Sequence, residues 1–94
     1  MNVSFADSYL KSYEALSTQE RKAVDKGIKL FQENPRHPSL VFGKLETQDF
    51  GPDLYKFRCS IKVVAIVRKN GDTYDVCYVD HWDDAFKWAS RFRG

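Results

Sequence analysis

Ninety-four residues, 43 % of them apolar and 15 % aromatic, suffice for one domain, 1–94, built on a single core. Fifteen basic against 13 acidic side chains leave a formal charge of +2, which alone neither establishes nor argues against nucleic-acid binding. The longest apolar run is five residues, far short of the twenty or so that a membrane-spanning helix needs, so no membrane partner is expected.

Val3 and Phe5 alternate with Asn2 and Ser4, which predicts a short opening strand. Tyr9, Leu10, Tyr13 and Leu16 then recur at helical spacing, with Asp7 or Ser8 as cap. Ser17 and Glu20 have the spacing of a capping box, in which each side chain satisfies the other residue's exposed amide. A second helix follows, with Val24, Gly27, Ile28 and Phe31 on one face, and Asn34-Pro35 ends it because the residue before proline is pushed out of the α region. The pair makes a helical hairpin with an apolar face to lay on a sheet.

His37-Pro38 must be extended, and Leu40, Phe42 and Leu45 are expected to tuck under the fold edge. Gln48 to Asp53 reads as a turn or irregular insertion, with Gly51-Pro52 as its breaker. Tyr55, Phe57 and Cys59 alternate with Lys56 and Arg58, the period of a half-buried strand. Val63 to Val67 is apolar throughout, as in a central strand covered on both faces. Asn70-Gly71 suits a type I′ hairpin turn, and Thr73 to Val79 returns as a β-branched and aromatic strand. Ala85, Phe86, Trp88, Ala89 and Phe92 give a last helix, capped by Asp83 or Asp80. The order β-α-α-β-β-β-α predicts an α+β, two-layer domain: an antiparallel sheet of about four strands packed against an N-terminal helical hairpin, with the helices on one face.

The chemistry narrows by elimination. No C-x-x-C, H-E-x-x-H or spaced histidine pair is present, so no metal is expected, and no glycine-rich loop cradles a cofactor's phosphates. Asp80, Asp83 and Asp84 read as capping and dipole groups rather than as a hard-cation site. Cys59 and Cys77 fall in predicted strands as small hydrophobes, and no secretory signal precedes them, which predicts a cytoplasmic chain without a disulfide.

His81 stands at a strand-to-helix junction and is the side chain suited to exchange a proton near neutrality; equally, its Nδ1–H can hold the turn through a carbonyl or Asp83. Lys56 and Arg58 share the strand face opposite Tyr55 and Phe57, which is either a solvated face or a basic surface for phosphates, to which Lys44, Lys62 and Arg68 add. Trp82 either stacks on a base or fills a core edge. An imidazole beside a guanidinium is what RNA cleavage without a metal needs: one moves a proton, the other stabilises charge on phosphorus.

The segment His37-Pro38-Ser39-Leu40 ahead of Lys44-Leu45, the strand Leu54 to Arg58, and the ending Tyr78 to Ala89 resemble the RelE/ParE superfamily of bacterial toxins over nearly the whole chain, from about Val3 to Ala89. They are most similar to a branch ending in His-His-Asp-x-Ala-Tyr-x-Trp-Ala. The resemblance implies a cytoplasmic toxin partnered by a cognate antitoxin, and in the RelE branch an endoribonuclease that cuts mRNA on the ribosome without cofactor or metal; the ParE branch instead poisons DNA gyrase. It implies His81, Arg58 and Lys44 as catalytic residues, to which the basic surface and indole read above add Trp82, Lys56, Lys62 and Arg68 as the expected substrate-binding residues. The chain departs from the pattern at Trp82 for the second histidine, Phe86 for the tyrosine, Val63-Val64 for a strand arginine and Glu46 for a basic residue. A catalytically weakened binding module partnered with an antitoxin is therefore one alternative to the nuclease, and a ParE-like gyrase inhibitor is the other.

Overall fold

The computed structural model describes residues 2–45 and 53–92. Strand β1 (Asn2–Phe5) leads into helices α1 (Asp7–Glu14) and α2 (Thr18–Glu33), then a 3-10 turn at Pro38–Leu40. Strands β2 (Gly43–Lys44), β3 (Leu54–Arg58), β4 (Val63–Asn70) and β5 (Thr73–His81) precede helix α3 (Trp82–Arg91). The α+β class and the helical hairpin are as the sequence predicts, and so is the element order apart from one additional short strand, β2. Glu46 and the breaker Gly51-Pro52 lie outside the described residues.

Two features differ from expectation. Among the described residues the sheet has five strands in the order β1-β5-β4-β3-β2, with β1 parallel to β5 and the other pairs antiparallel. And α3 does not join the hairpin; it covers the opposite face. The apolar run of β4 explains this. Val63, Ala65 and Val67 share a core with Val24, Ile28, Phe31 and Phe57 under α1 and α2, while Val64 and Ile66 share a second one with Leu54, Ala85 and Ala89 under α3. A strand apolar on both faces needs two covers, and burying each large side chain contributes about 1.5–3 kcal/mol. Phe31 stacks on Phe57 with centroids 4.5 Å apart, and Phe42 stacks on Tyr55.

The helix starts follow local rules. Ser17 and Glu20 close the capping box of α2, whereas Ala6 occupies the N-cap of α1 and offers it no side chain. Ser8, one of the expected caps, instead donates its hydroxyl to Cys77 O at 2.6 Å. Cys59, just past β3, and Cys77 are free thiols pushed up to about 12 and about 11 by burial. The β4–β5 turn also lies one residue later than predicted: Asn70 pairs with Thr73, so Gly71 and Asp72 are its central residues. Of the two only Gly71 has positive φ, 62°, which fits a II′ turn rather than I′.

One irregularity sets up the site. Ile66 pairs with Tyr78 but Val67 with Val76, so Cys77 is an extra residue in β5. Without it Val76 and Tyr78 would face the same way. With it Val76 and Val79 face the hairpin core, and Tyr78 packs against the core under α3. Hydroxyls of α1 serve the bulged backbone: Ser8 binds the Cys77 carbonyl, and buried Ser12 accepts the Val79 N–H at 3.1 Å. Every residue beyond the bulge is thereby turned over, including His81.

Candidate functional site

β5 ends in Asp80-His81 and α3 begins at once with Trp82. His81 is the N-cap residue, in extended conformation and with no side-chain cap bond, so neither Asp80 nor Asp83 occupies the expected N-cap position. Asp83 and Asp84 lie in the first turn of α3, where their charge complements the helix dipole. Asp80 Oδ1 accepts the His81 N–H at 2.8 Å, and Oδ2 accepts the Tyr78 hydroxyl at 3.3 Å.

The bulge directs the His81 ring toward the hairpin side, where Nε2 meets Oε2 of Glu20 in the first turn of α2. Nδ1 lies 3.8 Å from Asp80 Oδ1. Glu20 Oε1 accepts the Ser17 N–H at 2.9 Å. That backbone hydrogen bond first, and the His81 imidazole second, pull the Glu20 carboxyl down to about 2. Sequence reasoning saw Glu20 only as a cap; the distance of 61 residues to His81 hid its second role.

Trp82 leans the other way, toward the β3–β4 connection. Its Nε1 donates to Ile61 O at 3.1 Å, and Lys56 Nζ stands 5.4 Å from its ring centroid, within cation–π range. A shallow recess opens between these groups, lined by Ile61, Lys62, His81, Trp82 and Asp83. Ile61 is 87 % exposed, an apolar side chain at the recess rim.

The expected site residues thus divide. His81, Trp82 and Lys62 share the recess, and Lys56 joins through the indole. Arg58 pairs with Val64 on the α3 side of the sheet, the same side as Lys56, and it also borders a hollow against α2 with Lys26, Gly27 and Cys59. From the register, its Cα is two strands from that of Asp80, about 10 Å at ordinary strand spacing. Lys44 pairs with Tyr55, hence on the hairpin face, three strands and four residues from His81, roughly 20 Å in backbone terms. Arg68 pairs with Leu54 on the α3 face, at the far end of β4. Lys44 and His81 therefore do not meet, and Arg58 approaches from the other face.

Among the described residues one trio of metal-type ligands, Asp80, His81 and Asp84, brings donor atoms within 4.8 Å. Both Asp80 oxygens already accept hydrogen bonds there. No helix among the described residues is long and apolar enough to cross a membrane.

No protein-family model matches the sequence, and no curated protein matches it. Solved structures do match. Escherichia coli YafQ superposes with a TM-score of 0.70 at 10 % identity, over 90 % of this chain and 97 % of that one. A chain of the RelB–RelE antitoxin–toxin complex from Methanococcus jannaschii gives a TM-score of 0.70 at 20 % identity, over 90 % and 96 %. The YoeB/ParE toxin from Agrobacterium tumefaciens gives 0.65 at 13 %, over 86 % and 98 %. With identities this low the likeness is one of fold, and it spans both partners almost entirely: the chain has the fold of the RelE/ParE toxins.

Proposed function

We propose that this protein is the toxin of a toxin–antitoxin pair and an endoribonuclease that cleaves mRNA, on the ribosome, at the recess between β5, α3 and the β3–β4 connection. The observation that carries the reading is the meeting of an imidazole, an indole and an ammonium group, His81, Trp82 and Lys62, in one recess of this fold. His81 takes the proton of a ribose 2′-hydroxyl; the 2′ oxygen attacks phosphorus, the bond to the 5′ oxygen breaks, and water protonates the departing oxygen. The products are a 2′,3′-cyclic phosphate and a 5′-hydroxyl. Lys62 offsets the charge gathering on phosphorus, Lys56 and Arg58 take flanking phosphates on the α3 side, and Trp82 stacks on a base. No step uses a metal. Lys44 and Arg68 lie too far from the recess for the scissile phosphate and are left to general backbone attraction. The antitoxin partner is supported by the RelB–RelE and E. coli DinJ–YafQ complexes, in which chains of this fold are seen.

The separation of Lys44 and Arg58 from His81 favours a second reading, a binding module of the same fold with weakened catalysis. Induced expression in a bacterial host, wild type beside His81→Ala, Lys62→Ala and Arg58→Ala, separates the two. The nuclease reading expects growth arrest and phased mRNA cuts by primer extension, with His81→Ala lowering cleavage about 10²–10⁴-fold. Normal growth and intact mRNA with folded protein would establish the binding module instead; arrest without cuts would point to gyrase.

A further inference from the structure

Glu20 does two things with two oxygens. Oε1 closes the capping box on Ser17 N–H, and Oε2 reaches His81 across the fold. The first task does not need a charge, because glutamine closes a capping box as well. The second does. Ordinary carboxyl titration near 4.5 is shifted down to about 2 here, chiefly by the Ser17 N–H, so at neutral pH Oε2 can only accept. Imidazole Nε2 must then carry a hydrogen, and in the neutral ring the lone pair is on Nδ1. Nδ1 stands 3.8 Å from Asp80 Oδ1, beyond hydrogen-bond reach, and that oxygen already accepts the His81 main-chain N–H. The side chain is 49 % exposed, so Nδ1 is the ring atom left to exchange a proton with a ligand.

We infer that Glu20 is a positioning residue for His81, holding the ring as its Nε2–H tautomer so that Nδ1 acts as the base at the recess. The assignment of the base rests on the nuclease reading; the tautomer does not. The two are therefore tested by separate readouts on the full chain.

The first is imidazole nitrogen NMR on histidine-labelled protein, followed upward in pH until the ring is neutral and its signals report the tautomer. His81→Asn identifies the ring by its lost signals, which separates it from His37. The expected wild-type result is hydrogen on Nε2. In Glu20→Gln the amide oxygen can keep the Ser17 N–H while its NH₂ turns to the ring, so the hydrogen should move to Nδ1. Ser17→Ala, which removes only the hydroxyl half of the cap, should leave the tautomer unchanged. Hydrogen on Nδ1 in the wild type, or a ring insensitive to Glu20→Gln, overturns the inference. The second readout is phased mRNA cleavage, which Glu20→Gln should lower by about 10²-fold with the amide spectrum of the fold intact. Undiminished cleavage by Glu20→Gln also overturns the inference. If the tautomer behaves as expected and the wild type cuts no RNA, the nuclease reading falls while the Glu20–His81 arrangement stands.

Discussion

Gly27 of α2 and Cys59, just past β3, approach so closely that a methyl group on Gly27 would lie 3.1 Å from Cys59 Sγ and 3.3 Å from its Cα. This contact is where the hairpin settles onto the sheet, and it sets two effects against each other. Alanine would favour the helix by about 1 kcal/mol over glycine. It would also press on backbone that cannot rotate away, and overpacking of this kind costs about 1–3 kcal/mol. Because one of the three nearest atoms is main chain, the second effect should win. Gly27→Ala should lower unfolding stability by about 1 kcal/mol in a denaturant titration, with Cys59→Ala in the same chain recovering part of the loss. A more stable Gly27→Ala protein would show that the layers slide apart freely.

Ser12 tests the bulge. Its buried hydroxyl donates to Tyr9 O at 2.9 Å and accepts the Val79 N–H at 3.1 Å. Ser12→Ala leaves that amide without its partner inside the core, a penalty of about 1–3 kcal/mol. Hydrogen exchange at Val79 should accelerate along with the loss of stability. Ser8→Ala, which frees a carbonyl with a second lone pair, should cost less. Negligible costs for both would mean that α1 does not hold the bulge.

The bulge also explains what the sequence does and does not disclose. Local rules gave the capping box of α2, the apolar run of β4 and the alternation that puts Lys56 and Arg58 opposite Phe57, because each depends on neighbours within a turn or a strand. The side on which His81 emerges depends on one extra residue, Cys77, whose carbonyl is bound by Ser8 while Ser12 takes the nearby Val79 N–H, both serines lying about 70 positions earlier. No periodicity within Thr73 to His81 announces it. The same holds for Lys44: its distance from His81 is a matter of strand order. The cover of α3 on the second face was implicit in Val63 to Val67, since the run could not be buried by one helical layer.

Acid should loosen the Glu20–His81 junction in a defined window. Glu20 titrates lower in the folded chain, about 2, than its ordinary 4.5, so its contribution to stability is fully present above about 4.5 and is lost as pH falls toward 2. Melting temperature should fall through that window, and Glu20→Gln should flatten the slope there. An unchanged slope in Glu20→Gln would assign the acid sensitivity to other carboxylates.

Val41 supplies a prediction of opposite sign. It follows the 3-10 turn at φ 48° and ψ 47°, the left-handed region, where a β-branched side chain crowds its own backbone. Such a residue costs about 1–2 kcal/mol, and it persists because buried Leu40 on one side and the Phe42 ring stacked on Tyr55 on the other fix the chain. Val41 is 49 % exposed, so little burial is lost when it is replaced. Asparagine tolerates this conformation, and Val41→Asn should raise stability by about 1 kcal/mol, read as a higher denaturant midpoint with an unchanged slope. Glycine should gain less, because it also adds freedom to the unfolded chain. The Val41 carbonyl receives Lys56 Nζ at 3.5 Å, a long contact that either replacement retains, so the position of Lys56 over Trp82 should be undisturbed. A lower midpoint for Val41→Asn would mean that the isopropyl group contributes more through packing at the sheet edge than its backbone conformation costs.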